Sequence, residues 1–125
     1  MKRRILLRAI AAASVGPCGL ALSQGDSRKI LVGFPAGTAT DAVGRLLGER
    51  MKGLYGSAFV VDNRAGASGQ LAVSALKSAA PDGATMLVCP MTVLSVYPYT
   101  FAKVAYDPLA DLTPVGNCTT DDLAL

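Results

Sequence analysis

Histidine is absent from all 125 residues. That single absence removes the usual general base, the commonest zinc ligand and every Ser-His-Asp or Cys-His arrangement. Phosphate signatures are missing too. There is no G-x-G-x-x-G, and the stretch from Gly33 to Asp41 lacks the Gly-Lys-Ser/Thr of a P-loop. Gly66-Ala67-Ser68-Gly69-Gln70 falls short of a nucleophile elbow because its closing glycine comes one position early, and no histidine exists to activate Ser68. The expectation is a protein with no catalytic residue, no metal site and no cofactor.

Acidic residues are absent before Asp26, while Lys2, Arg3, Arg4 and Arg8 supply four of the twelve basic groups. The net charge of +3 therefore sits at the front, and the remainder from Gln24 carries eight basic against nine acidic residues. Its Arg and Lys are scattered singly among carboxylates. No clustered basic footprint is left for phosphates, and a nucleic-acid partner is set aside. With 51% hydrophobic and 17% charged residues the composition is that of an ordinary globular chain, long enough for one domain at most.

Residues 1–23 have the grammar of an export signal: a basic start, an apolar stretch from Ala9 to Leu22, and small residues Ala21 and Ser23 at the −3 and −1 positions of a cut. The stretch is short for a membrane-spanning helix. Gly16, Pro17 and Gly19 argue against the alternative of a stable amino-terminal helix. Arg3-Arg4-Ile5-Leu6-Leu7-Arg8 also resembles a twin-arginine signal, so Sec and twin-arginine export both stay open. Pro17 before Cys18 suits a lipidation site poorly. Cleavage leaves Cys89 and Cys118, which either pair in an oxidising compartment or, the preferred reading, are buried thiols on separate strands.

After this segment the pattern alternates. Ile30-Leu31-Val32-Gly33-Phe34 reads as a buried strand, and Pro35-Ala36-Gly37 breaks it. From Thr40 to Tyr55 the residues Val43, Leu46, Leu47, Met51 and Leu54 mark one stripe of a helix, with Gly56 as a stop. Thr38 and Asp41 are spaced as a capping box. Ala58-Phe59-Val60-Val61 is a second strand and Asn63 to Gly69 a loop. Gln70 to Ala80 is a second helix with Leu71, Ala72, Ala75, Leu76 and Ala79 on its apolar face, and Thr85 to Cys89 a third strand. Pro81-Asp82-Gly83 marks the intervening turn. Strand and helix in alternation imply an α/β fold with a parallel sheet and right-handed crossovers. Beyond it, Val93 to Phe101 is a short helix or irregular, Tyr106-Asp107-Pro108 a turn, and Thr113 to Thr119 a strand. The apolar end Leu123-Ala124-Leu125 reads as a strand cut short, so an incomplete chain is expected.

In open parallel sheets ligands gather at the carboxyl ends of strands. Two loops there stand out, Phe34 to Asp41 and Asn63 to Gly69. Gly37, Gly66 and Gly69 let backbone approach a ligand, and the helix starts that follow offer unpaired N–H groups and partial positive charge. One such helix end contributes only about 0.3–1 kcal/mol when exposed, so several amides and hydroxyls must cooperate. Thr38, Thr40 and Ser68 are the hydroxyls of choice. Plain turn chemistry would explain the same residues. Asp41 either caps the helix or fixes a water or a ligand's polar group. Arg64 pairs with a ligand carboxylate or with Asp62. Tyr97, Tyr99 and Phe101 line a pocket or belong to a lobe's core.

Four ordered blocks, Phe34-Pro35-Ala36-Gly37-Thr38-Ala39-Thr40-Asp41, Val61-Asp62-Asn63-Arg64-Ala65-Gly66-Ala67-Ser68-Gly69, Ala80-Pro81-Asp82-Gly83-Ala84-Thr85-Met86-Leu87 and Ala105 to Val115, resemble those of the Bug-type receptors of tripartite tricarboxylate transporters. The resemblance implies the amino-terminal part, residues 24–125, of a periplasmic-binding-protein-like (type II) two-lobed fold, truncated after its first parallel-sheet lobe. It implies a small carboxylate ligand in the cleft, delivery to membrane permease subunits, a periplasmic location and a monomer when complete. In that family the first two strand-to-helix loops help hold the ligand carboxylate, partly through ordered water. Carried over, this nominates Ala36, Gly37, Thr38 and Asp41, and Ala67, Ser68 and Gly69, with Thr40 added from its hydroxyl. The sequence departs from the pattern at Thr38 and Ser68, where glycine is usual, at Ala65, where proline is usual, and at Cys89-Pro90-Met91-Thr92. A non-functional truncated product, and a small α/β enzyme acting on an anionic substrate, are the alternatives.

Overall fold

The apolar run at Ile30 becomes the middle strand of a three-stranded parallel sheet. A computed structural model describes residues 27–120. The expected export segment over residues 1–23, Cys18 and the apolar end at residues 123–125 lie outside them. The elements are β1 (Ser27–Val32), α1 (Ala39–Met51), β2 (Ala58–Asn63), α2 (Gln70–Lys77), β3 (Thr85–Val88), α3 (Met91–Ser95) and α4 (Tyr97–Thr100). Strand order is β2-β1-β3. Both pairings are parallel, with Val32 opposite Asn63 on one side and opposite Val88 on the other.

This order explains why β1 reads as an unbroken apolar run. The chain steps from β1 to β2 on one side and then back past β1 to β3, so right-handed crossovers put α1 and α2 on opposite faces. A strand covered on both faces has no solvent side, and Ile30, Leu31 and Val32 are all buried. Each contributes about 1.5–3 kcal/mol relative to exposure. Ile30 and Val32 meet α1, whose Gly44 and Gly48 lie against them. Leu31, one residue out of phase, faces the other way. On that second face Val73 of α2 joins Val93 and Tyr106 in a core cluster with Leu87, Cys89 and Leu94 packed around it. The Tyr106 hydroxyl donates to the Val93 carbonyl, which pins into the core the residue before the turn; that turn runs over residues 108–110, one or two places later than expected.

Five expectations need correction. α1 ends at Met51 rather than Tyr55, and Gly53, at φ +83°, takes the left-handed turn that follows it. The fully buried stripe of α1 is Asp41, Gly44 and Gly48; of the expected stripe Val43, Leu47 and Met51 are half-buried, whereas Leu46 is 55% and Leu54 78% exposed. Glycine lets the helix backbone approach the sheet more closely than the leucine stripe would allow. On α2, Leu71 is exposed and Val73 takes the buried place. Residues 113–119 form no strand. They are exposed throughout, and a segment with no neighbouring strand has nothing to complete a ladder. Cys118 within it is an exposed free thiol and Cys89 a half-buried one, so two buried thiols on separate strands is not the arrangement. Burial pushes the Cys89 thiol up to about 11.

Candidate functional site

The β1–α1 loop is tied down by its own side chains. Thr38 is the N-cap of α1: its hydroxyl accepts from the Asp41 amide at 3.4 Å and donates to the Pro35 carbonyl at 2.9 Å. The reciprocal half of a capping box is shifted by one residue, because the Asp41 carboxylate accepts the Gly37 N–H at 2.9 Å rather than that of Thr38. Gly37 is at φ +87°, which glycine adopts without penalty. Asp41 Oδ2 also accepts from Arg45 Nε at 2.9 Å, and Oδ1 from Asn63 Nδ2 at 2.9 Å. The same Asn63 nitrogen donates to the Phe34 carbonyl at 3.1 Å.

Asp41 is only 3% exposed. A buried carboxylate needs a cation and donors to stay charged, and here it has both. The Arg45 guanidinium first, then the Gly37 amide and the Asn63 side chain, outweigh desolvation and hold its pKa far below the usual carboxylate range. Both oxygens are engaged by the protein itself. Asp41 is thus a cap and a tie between loop and sheet.

The second loop crosses the end of β1. Its start is fixed by the Arg64 N–H donating to the Val32 carbonyl at 2.7 Å, and the Arg64 side chain pairs with Asp62 at 3.0 Å. Gly66, Ala67, Ser68 and Gly69 all have positive φ, of +142°, +47°, +55° and +93°. A left-handed turn results, closed by the Gly69 N–H to the Gly66 carbonyl at 2.9 Å. Two of the four are not glycine, at a cost of about 1–2 kcal/mol each. Such strain persists only where the surroundings impose it. The surroundings are plain: a methyl group on Gly69 would lie 3.4 Å from the Phe34 ring and 3.6 Å from Val93 Cγ2. The loop is therefore seated on the first loop and on α3.

The two loops nominated from sequence thus meet at the carboxyl end of β1. Ala36, Gly37, Ala67 and Ser68 are exposed there, Thr38 and Thr40 half-buried, and Asp41 and Gly69 buried. Their amides divide into two groups. Those of Gly37 and Gly69 are already bonded to Asp41 and Gly66. The amides of Ala39 and Thr40 belong to the first helical turn, which has no carbonyl for them. Among the described residues those of Ala67 and Ser68 have no partner either. A small anion would find donors at these four positions, with the hydroxyls of Thr40 and Ser68 beside them. Tyr97 packs against the core of Val73, Val93 and Tyr106 and meets Phe101 edge to face with ring centroids 4.8 Å apart.

Arg45 and the Asn63 side chain escaped notice in the sequence. Arg45 was findable, since Asp41 and Arg45 are spaced i, i+4 on one helix. Asn63 had no local signal, because its partners lie 22 and 29 residues away. A separate groove of about 420 Å³ lies between β1 and α2, lined by Lys29, Leu31, Arg64, Leu71 and Ser74 among others. Of the residues weighed from sequence as ligand contacts it contains Arg64, and it takes in Leu71 of the first turn of α2.

Residues 43–125 match the tripartite tricarboxylate transporter family receptor. BugT of Bordetella pertussis is 37% identical over 93 residues, covering 70% of this chain and 27% of BugT. Among solved structures, MatC of Rhodopseudomonas palustris with bound malate superposes with a TM-score of 0.65 at 36% identity, over 71% of this chain and 30% of MatC. An R. palustris protein solved with adipate gives 0.64 at 33% identity, over 71% and 30%. The chain spans less than two-fifths of the length of the curated relatives it matches. Sequence and fold agree that this chain, an α/β parallel-sheet lobe of the kind found in periplasmic binding proteins, belongs to the Bug-type receptor family of tripartite tricarboxylate transporters.

Proposed function

We propose that this chain forms part of an extracytoplasmic solute receptor that captures a small aliphatic carboxylate between its first two strand-to-helix loops. It does so in the periplasm, after export directed by residues 1–23, and hands the ligand to the permease subunits of a tripartite tricarboxylate transporter. The observation that carries the reading is the meeting of the two loops at the end of β1. There Ala39, Thr40, Ala67 and Ser68 present amides without partners among the described residues, and the neighbouring carboxylate, Asp41, is buried and neutralised by Arg45. Malate and adipate in the two similar structures suggest the ligand class, a dicarboxylate.

Capture without chemistry fits the same geometry. Catalysis needs an acid or base within reach of the ligand, and the acid nearest the ledge has both oxygens occupied. A thermal-shift screen of the complete gene product against a dicarboxylate panel tests the reading, with Thr40→Ala and Ser68→Ala as controls. A ligand that stabilises the parent and stabilises both variants less supports it. No shift across the panel, or shifts indifferent to both substitutions, refutes it.

A further inference from the structure

We propose that Arg45 and Asn63 are positioning residues for ligand capture, holding the β1–α1 loop, through Asp41, in the one conformation that sets the Ala39 and Thr40 amides against the second loop. The inference rests on the carboxylate-receptor reading above and goes beyond it in naming two residues with no place in the ligand ledge.

The loop from Phe34 to Thr38 has no strand partner, so its shape depends on a few bonds. Two are local, from the Thr38 hydroxyl and the Thr38 amide to the Pro35 carbonyl. The other two run through the network: the Gly37 amide to Asp41, and the Phe34 carbonyl to Asn63. The network has a single cation. Arg45 gives Nε to Asp41 at 2.9 Å and Nη2 to Asn63 Oδ1 at 3.4 Å, so it both neutralises the buried carboxylate and orients the Asn63 amide. With the guanidinium removed, a nearly inaccessible charge keeps only neutral donors, and the carboxylate must admit water or turn outward. Either motion releases Gly37.

Asn63 makes the arrangement common to both loops. It is the last residue of β2, and the next amide, Arg64 N–H, is already bonded to Val32 at the start of the second loop. One connected set of bonds therefore fixes the spacing between the two ligand-binding segments. Preorganisation of this kind raises affinity by removing the cost of ordering on binding. Arg45 itself is 53% exposed in its side chain, which leaves room to substitute it without opening the core.

The test is calorimetric titration of malate and of adipate into the complete gene product and its Arg45→Gln, Arg45→Lys and Asn63→Ala variants, with amide exchange of Gly37 followed by NMR. The expected result is an affinity about tenfold weaker in Arg45→Gln and Asn63→Ala, less than additive when combined, with faster Gly37 exchange and substantial recovery in Arg45→Lys. If both variants bind within about twofold of the parent while Thr40→Ala and Ser68→Ala bind weakly, the positioning role is wrong and the receptor reading stands. If the parent takes up neither acid, the receptor reading falls and the positioning role falls with it.

Discussion

Gly33 and Gly69 pack backbone to backbone: a methyl group on Gly33 would lie 2.7 Å from Gly69 Cα and 3.0 Å from its carbonyl oxygen. One residue directly follows the first strand and the other closes the left-handed turn after the second. Their contact brings the two strand-to-helix loops together, and neither partner is a flexible side-chain end that could yield. Gly33→Ala should therefore cost about 1–3 kcal/mol, the range for forcing a methyl group into filled space, read as a lower midpoint in urea. It should also weaken carboxylate binding, because the displaced element is the ledge itself.

The same reasoning applies to α1 with competing terms. Alanine at Gly48 gains up to about 1 kcal/mol of helix propensity, but its methyl would meet Phe59 Cβ at 3.0 Å, an atom fixed to a strand backbone. The contact should win. Gly48→Ala is expected to destabilise by about 1 kcal/mol net, whereas Glu49→Ala, on the exposed side of the same helix, should stay within about 0.5 kcal/mol. Thermal denaturation of the two variants side by side checks the contrast.

These glycines show how far the sequence could be read. The alternation of β1, α1, β2, α2 and β3 was legible because strands and helices carry different apolar periods. The two strand-to-helix loops were legible because Gly, Ser and Thr gather where strands hand over to helices. The stripe by which α1 meets the sheet was not, since a hydrophobic pattern registers Leu46 and Leu54 and is blind to Gly44 and Gly48. The left-handed backbone at Ala67 and Ser68 was hidden for a related reason: neither residue type announces it. The pairing of Asn63 with Asp41 and Phe34 depends on parallel register, which no local spacing encodes.

At Ser68, φ is +55° with ψ of +34°. A β-branched residue is a poor fit there. Ser68→Val should lose about 1–2 kcal/mol. Ser68→Gly relieves the strain but loosens the unfolded chain, so it should stay within about 0.5 kcal/mol of the parent. Melting curves of the two variants distinguish local strain from a general intolerance of the loop to change.

Acid should loosen the Asp41 network. The carboxyl is held below its ordinary value in the fold, so its contribution is fully present above the unfolded value of about 3.9 and is lost as pH falls toward the folded one. Asp111, lowered by the Asp107 amide and by Lys77, acts in the same direction. Asp41→Asn keeps the shape of the side chain and loses the charge. Its melting temperature should be lower than the parent's near neutrality and should fall less between about pH 6 and pH 3. Equal pH dependence in both proteins would remove Asp41 as a source.

The most direct test of carboxylate capture at the loop pair is a titration of malate into the isotope-labelled complete gene product, followed amide by amide in two-dimensional NMR spectra. Saturable shifts concentrated at Ala39, Thr40, Ala67 and Ser68, with little change along Lys29, Ser74 and Thr85 of the separate groove, are the predicted result. Shifts centred on that groove, or none at any of the four amides at saturating malate and adipate, would contradict it.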